Sequence, residues 1–335
     1  MKKRKGYSRW IGNFIRFAIV FCIFVFLFTT DKLEFSILKN VLAKPNLFVS
    51  ATLLIFAGAL ISVQRWRLLL KVHNVHLGVG SAIKLTFIGQ FFSAALPGAV
   101  SGDAVKAYYI ARDQKQKTAL VSTVILDRLI GIYTFVLFAT LAVLFTIFCP
   151  ELLRMQDDLP QQPIIVLFYF IIGLFALFTS LGIICARKES RVARLLKAIL
   201  VKLPFHNTFC IVYDAVYEYG HKWKLTLNAL FVSLASQIPF YAGMWCLATL
   251  LEIKIRTSIV FFLALPACML INAIPLAPGG IGIGEAGFES IFSLFGSNKG
   301  AELAILFHAI YYILSVGVGG MVYLFSNFTV GDKIE

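Results

Sequence analysis

The chain has 335 residues, 59% of them hydrophobic and 14% charged, with 31 Lys plus Arg against 17 Asp plus Glu. Its mean hydropathy is +0.84, whereas soluble domains hold roughly 45–50% apolar and about 25% charged residues. No soluble fold hides that much apolar surface, so a soluble enzyme, a disordered chain and a disulfide scaffold are excluded in favour of a multi-pass membrane protein.

A basic head, residues 1–10, precedes the first apolar run, Ile11 to Thr30. With no small-residue cleavage site before Asp31, this run reads as an uncleaved signal anchor whose N-terminus stays in the cytoplasm. The second span is Leu47 to Val63, with Arg65, Arg67 and Lys71 as its cytoplasmic flank. A broken region, 81–111, follows: Ser81 to Leu96 stops at Pro97-Gly98, and Asp103 to Ala111 resumes with too few residues to cross. Cations flank both of its ends, so it enters and leaves on one side. Spans three and four are Ala119 to Phe148 and Ile164 to Ala186.

The basic loop 187–224 carries apolar residues at helical spacing from Val192 to Leu203, as in an amphipathic helix on the inner leaflet. Span five is Leu225 to Leu251. A second broken region, 259–297, is interrupted at Pro275 and Pro278-Gly279-Gly280. The last span, Leu303 to Phe325, leads to a cytoplasmic tail, 326–335. The expected fold is therefore all-α and polytopic. It has about six full transmembrane helices and two Gly/Pro-broken re-entrant hairpins, in one integral domain over residues 1–335. Span two, hairpin one and span three recur upside down as span five, hairpin two and span six, the inverted-repeat pattern of transporters. The second hairpin is long enough to cross twice instead.

Chemistry concentrates at the breaks. Glycines and a helix start at Gly98, Gly102 and Asp103 offer unpaired N–H groups to an anion such as phosphate; Asp103 can equally be a simple N-cap. Lys106 shares the face of Asp103 and can pair with it or with a lipid phosphate. Asp127 and Arg128 sit inside an apolar span, where charges are costly unless paired or wet. Neighbouring helix positions diverge by about 100°, so these two have different partners.

The second break carries Gly279, Gly280, Gly282 and Glu285. Glu285 is either a protonatable coupling group, a contact for a lipid amine, or a carboxylate held by a helix dipole. Gly282-x-Gly284-x-x-Gly287 matches a dinucleotide fingerprint but lacks its βαβ context. His73 and His76 have no carboxylate company, so they are not read as metal ligands. His308 reads as a buried hydrogen-bonding residue. The six cysteines read as small apolar residues. Asn327-Phe-Thr329 matches a glycosylation sequon on the cytoplasmic side. No cofactor, metal or nucleic-acid site and no reactive constellation is expected.

Pro97-Gly-Ala-Val-Ser-Gly-Asp103, Lys106-Ala-Tyr-Tyr, Leu126-Asp-Arg-Leu-Ile-Gly131 and Pro278-Gly-Gly-Ile-Gly-Ile-Gly-Glu285 occur in this order. Together they resemble the flippase-like transmembrane domain of bacterial lysylphosphatidylglycerol synthases and their stand-alone relatives. Ser101 replaces the first glycine of the family's GGD element, and Lys106 stands where Arg is common. The resemblance covers roughly residues 10 to 325 and implies movement of a lipid between leaflets.

The full-length synthases add a soluble aminoacyl-transferase domain, which a chain ending at Glu335 is not expected to carry, so it is read as a non-enzyme. The resulting expectation is a transporter of the bacterial inner membrane with both termini cytoplasmic. Its substrate would be an anionic phospholipid or a lipid-linked glycan precursor, with cell-envelope biosynthetic enzymes as partners. The alternative is a non-transporting membrane partner of a lipid- or glycan-building glycosyltransferase.

Overall fold

The computed structural model describes residues 35–95, 101–112, 116–148, 161–186, 206–253, 258–273 and 282–325. The expected first span, the amphipathic stretch Val192 to Leu203, the sequon, the C-terminal tail and Pro97, Gly98, Pro275, Pro278, Gly279 and Gly280 lie outside these residues. Every regular element among the described residues is helical. A short helix, α1 (Phe35–Ala43), leads into α2 (Pro45–Lys71), whose first position is a proline that forgoes an N–H no helical carbonyl would have met. Then come α3 (Val79–Ala95), α4 (Ser101–Ala111), α5 (Lys117–Phe148), α6 (Gln161–Ala186), α7 (His206–His221) and α8 (Trp223–Leu250). α9 (Ser258–Asn272), α10 (Ile283–Leu294) and α11 (Gly300–Tyr312) complete the order. α11 runs through a π-helical turn, Ile313–Val318, into α12 (Gly319–Phe325).

Among the described residues five helical stretches are long and apolar enough to cross a membrane: α2, α5, most of α6, α8 and the continuous run Gly300–Phe325. They coincide with spans two to six of the hydropathy reading, with one consequential correction. α2 does not stop at Val63 but continues to Lys71, so Arg65 lies inside the helix and is buried. The four helices flanking the two breaks fall short of the roughly 20 residues a crossing needs: 17 in α3, 11 in α4, 15 in α9 and 12 in α10. This polytopic helical fold, with paired short helices at both breaks, is the expected one.

At the centre α2 packs along α8, the most extensive helix pairing among the described residues. Glycine makes it possible. A methyl group at Gly58 would stand 2.9 Å from the Ser236 carbonyl oxygen, and one at Gly243 would stand 3.0 Å from that of Ala51. Small residues let membrane helices approach backbone to backbone, where packing must replace the hydrophobic drive. The two contacts are reciprocal, Gly58 standing to Ser236 as Gly243 stands to Ala51. Exchanging α2 with α8, α3 with α9, α4 with α10 and α5 with the last span therefore maps neighbours onto neighbours. α3 lies on α4 and α9 on α10; α4 lies on α5 and α10 on α11; α5 lies on α9 while the last span lies on α3.

The repeats point opposite ways. At one end Arg67 reaches the Leu77 carbonyl (2.8 Å), the Tyr219 hydroxyl donates to the Leu69 carbonyl (2.9 Å), and Lys222 donates to the Val72 carbonyl. The first hairpin opens there, with Ile110 and Ala111 packed against Val63, Trp66 and Leu77. At the other end Lys44 pairs with Glu252 (2.6 Å) and Lys299 caps the Leu251 carbonyl (2.7 Å), beside the α10–α11 turn. α6 lies outermost and exposes Val166, Tyr169 and Phe170, which together with Phe145 on α5 and Phe231 on α8 form the apolar surface a bilayer would cover.

Candidate functional site

Where α2, α4 and α5 converge, a charged network is enclosed by apolar walls. Asp127 on α5 accepts from Arg65 Nε at 2.7 Å through Oδ1 and faces Lys106 Nζ at 3.3 Å through Oδ2. All three side chains are largely buried, with 14%, 11% and 7% of their surface exposed respectively. Lys106 also lies over the Trp66 ring, 3.8 Å from its centroid, where the negative face of the indole attracts it. Trp66 is fully buried, and its indole N–H donates to Thr123 Oγ1 at 3.2 Å. Arg65 spends its second arm on α8, donating to Ser233 Oγ at 2.8 Å, and that hydroxyl is 3.0 Å from Thr134 Oγ1. One guanidinium thus joins the two central helices to α5.

The glycine of the Leu126-Asp-Arg-Leu-Ile-Gly131 element has a physical task here. A methyl group at Gly131 would stand 3.3 Å from Arg65 Nη1, so one turn of α5 supplies both the carboxylate that binds the guanidinium and the gap that admits it. In the sequence the apolar run ends at Val63, which puts Arg65 in the flank. The signal that could have found it is the length of the helix: Gln64-Arg65-Trp66 continues the α2 pattern for two further turns to Lys71.

The second pair is more open. Arg128 Nη1 donates to Asp103 Oδ2 at 2.6 Å, with 30% and 33% of the two side chains exposed. Asp127 and Arg128 do have different partners, as their divergence on the helix requires. Two expectations are corrected. Lys106 turns to Asp127, not Asp103, because α5 presents that carboxylate to the buried face of α4. Asp103 is not the residue before the helix: α4 begins at Ser101, whose hydroxyl donates to the Phe92 carbonyl at 3.1 Å, leaving Asp103 in the first turn to meet Arg128. Gly102 holds α4 against α3, since a methyl group there would collide with the Gly89 carbonyl and with Ser93 Oγ.

The second hairpin builds a different chemistry. Gly282, at φ +90°, starts α10 and donates its N–H to Glu285 Oε2. Glu285 Oε1 is 3.0 Å from His308 Nδ1, and His308 Nε2 is 3.0 Å from Asn272 Oδ1. His308 is 4% exposed, so it is indeed a buried hydrogen-bonding residue, with both ring nitrogens engaged.

Of the residues singled out in the sequence, the structure thus joins Lys106 with Asp127, Asp103 with Arg128, and Gly282 with Glu285. Gly98, Gly279 and Gly280 lie outside the described residues. Past the end of α2, His73 Nδ1 faces Glu218 at 3.4 Å; burial nonetheless lowers its pKa, against the pull of Glu218.

Comparison with known sequences agrees with the geometry. The family described as the lysylphosphatidylglycerol synthase TM region matches residues 13–319. The UPF0104 membrane protein PH1989 of Pyrococcus horikoshii is 33% identical over 100 residues, covering 29% of this chain and 30% of that protein. The shared stretch is thus under a third of that relative's length. No solved structure matches.

Proposed function

Because the chain belongs to the family of the lysylphosphatidylglycerol synthase TM region, we propose that it carries an anionic lipid, a phospholipid or a lipid-linked glycan precursor, between the leaflets of a bacterial inner membrane. One observation supports this most directly. Within the first repeat the described residues place three cations, Arg65, Lys106 and Arg128, against two carboxylates, Asp103 and Asp127. The residues of the intervening break, Leu96 to Val100, contain no ionisable side chain. Among the described residues this cluster thus gathers cations from three helices in a place where charge is tolerated only when an opposite charge meets it. A phosphodiester is the kind of anion such a cluster suits.

In this reading the deep pair of Arg65 and Lys106 on Asp127 fixes the field, and the more exposed Asp103–Arg128 pair does the exchanging. Arg128 offers a planar fork that suits phosphate as well as carboxylate, so it can leave Asp103 for a headgroup without ever being unpaired. The acyl chains would remain in the bilayer beside the exposed faces of α5 and α6. The cation-rich end bearing Arg67, Lys71 and Lys222 would face the cytoplasm.

The test is reconstitution into liposomes containing fluorescent phosphatidylglycerol, with transbilayer movement read by quenching of the outer leaflet. The wild type should exchange leaflets much faster than protein-free vesicles, and Arg128→Gln should fall to the protein-free rate while remaining folded. Equal rates for wild type and protein-free vesicles would refute transport. A stably co-purifying glycosyltransferase would then favour a membrane partner.

A further inference from the structure

We propose that Glu285, His308 and Asn272 form a proton-binding site in the second repeat whose loading is coupled to lipid movement, one proton per cycle; this rests on the transport reading above. Three different helices contribute one side chain each, α10, α11 and α9 respectively, and the seat is shaped for them. A methyl group at Gly284 would lie 2.5 Å from Asn272 Oδ1 and 2.8 Å from His308 Cε1. The Gly282 N–H pins the other oxygen of Glu285, so only Oε1 is left to His308.

The hydrogen bonds count the protons. With Asn272 presenting its carbonyl oxygen, His308 Nε2 must carry a hydrogen and donate it. Nδ1 and Glu285 Oε1 then need one more hydrogen between them at 3.0 Å, whether it is written on the imidazolium or on the carboxylic acid. With Oδ1 of Asn272 on Nε2, the site is in its loaded form. Releasing that proton to water would set a lone pair on Nδ1 against a carboxylate oxygen. The relief available is for the imidazole hydrogen to move to Nδ1 and for the Asn272 amide to turn its NH2 towards Nε2. Asn272 is the last residue of α9, immediately before the second break, so occupancy of the site is read by the hairpin that the transport cycle must move.

The surroundings isolate this pair. From the last span, Tyr312 lies near enough to feel the charge of Glu285. On α10, Glu289 is committed to the Ala301 N–H at 3.0 Å. On α11, Glu302 sits in the first turn, and Lys299 just before it is bound to the Leu251 carbonyl. α9 holds no Asp, Glu, Lys, Arg or His. Its one ionisable side chain is Cys268, and α8, packed on α11, has Lys224 at its far start and Tyr241 and Cys246 within the span.

The experiment uses wild-type proteoliposomes carrying a trace of fluorescent phosphatidylglycerol under a gradient of one pH unit, with the leaflet distribution read at steady state. One proton per lipid converts about one pH unit into about a tenfold leaflet bias. The bias is expected in the wild type and lost, to an even distribution, in His308→Gln and in Asn272→Leu. The second variant keeps the carboxylate–imidazole pair and so guards against a folding defect in the first. An even distribution in a wild type that equilibrates rapidly overturns the coupling and leaves transport standing. If the wild type equilibrates no faster than protein-free vesicles, the transport reading fails and the coupling with it. An infrared pH titration of the same protein then judges the proton site alone. A titrating imidazolium or carboxyl band that is absent from both His308→Gln and Glu285→Gln supports the site, and the lack of any such band overturns it.

Discussion

Replacing Asp127 with Asn tests whether the deep cluster is held by charge. The substitution keeps the shape of the side chain and one acceptor, and removes the anion from between Arg65 Nε at 2.7 Å and Lys106 Nζ at 3.3 Å. In an effective dielectric of ~20, unit charges at these separations attract by roughly 5–6 kcal/mol each. Much of that repays the desolvation the cations have already suffered, so the net cost of removing the carboxylate is set by leaving them buried and uncompensated, about 3–5 kcal/mol.

Arg65→Gln should cost a similar amount, and the double variant should cost less than the two added together by about 2 kcal/mol or more, because it strands Lys106 alone whereas Asp127→Asn strands both cations. Unfolding of the purified protein in detergent can be followed with a thiol-reactive fluorogenic dye, since Cys268 is fully buried. A single Asp127→Asn effect within about 0.5 kcal/mol of zero, or additivity of the pair within the same margin, would refute the reasoning.

Gly102→Ala should force α3 and α4 apart at the Gly89 carbonyl, costing about 1–3 kcal/mol or more in the same unfolding assay. Gly173→Ala on α6, where nothing stands within 4 Å, should be close to neutral. Gly58→Ala and Gly243→Ala strike reciprocal contacts of one helix pair, so their losses of thermal stability should be alike in size. The His73 imidazole has a pKa held below the ordinary 6.5 by burial. The unfolded chain therefore takes up the proton first, and stability falls as pH drops below about 6.5 and levels off once the folded pKa is passed. Thermal unfolding between pH 7.5 and 5 should show that slope in the wild type and lose part of it in His73→Gln.

The spans were legible because a helix in lipid must be apolar over its length, and the breaks were legible because Pro and Gly interrupt that run. The partnerships were only half legible. Adjacent charges such as Asp127 and Arg128 reveal by geometry that they diverge, but not which helix each meets. Lys106 shares a face with Asp103 in sequence, yet burial of that face sends it to Asp127. Arg65 was hidden for a different reason: hydropathy measures cost, and a guanidinium with a carboxylate and a hydroxyl waiting for it no longer bears that cost. His308 and Asn272 stand 36 residues apart, brought together only when α9, α10 and α11 pack on one another.

The reciprocal pairing of α2 with α8 also bears on how the molecule is assembled. Arg65 and Ser233 are 168 residues apart. During synthesis the first repeat must therefore enter the membrane and wait while the rest of the chain up to α8 is made. Through that interval Arg65 can rely on Asp127, which arrives earlier with α5. Its other arm and the glycine of α2 have no protein to meet and face lipid or the insertion machinery. The acidic residue of α5 thus serves the half-made chain as well as the finished one. An Asp127 variant should be caught by membrane quality control before α8 is ever inserted, even if the mature protein could survive the change.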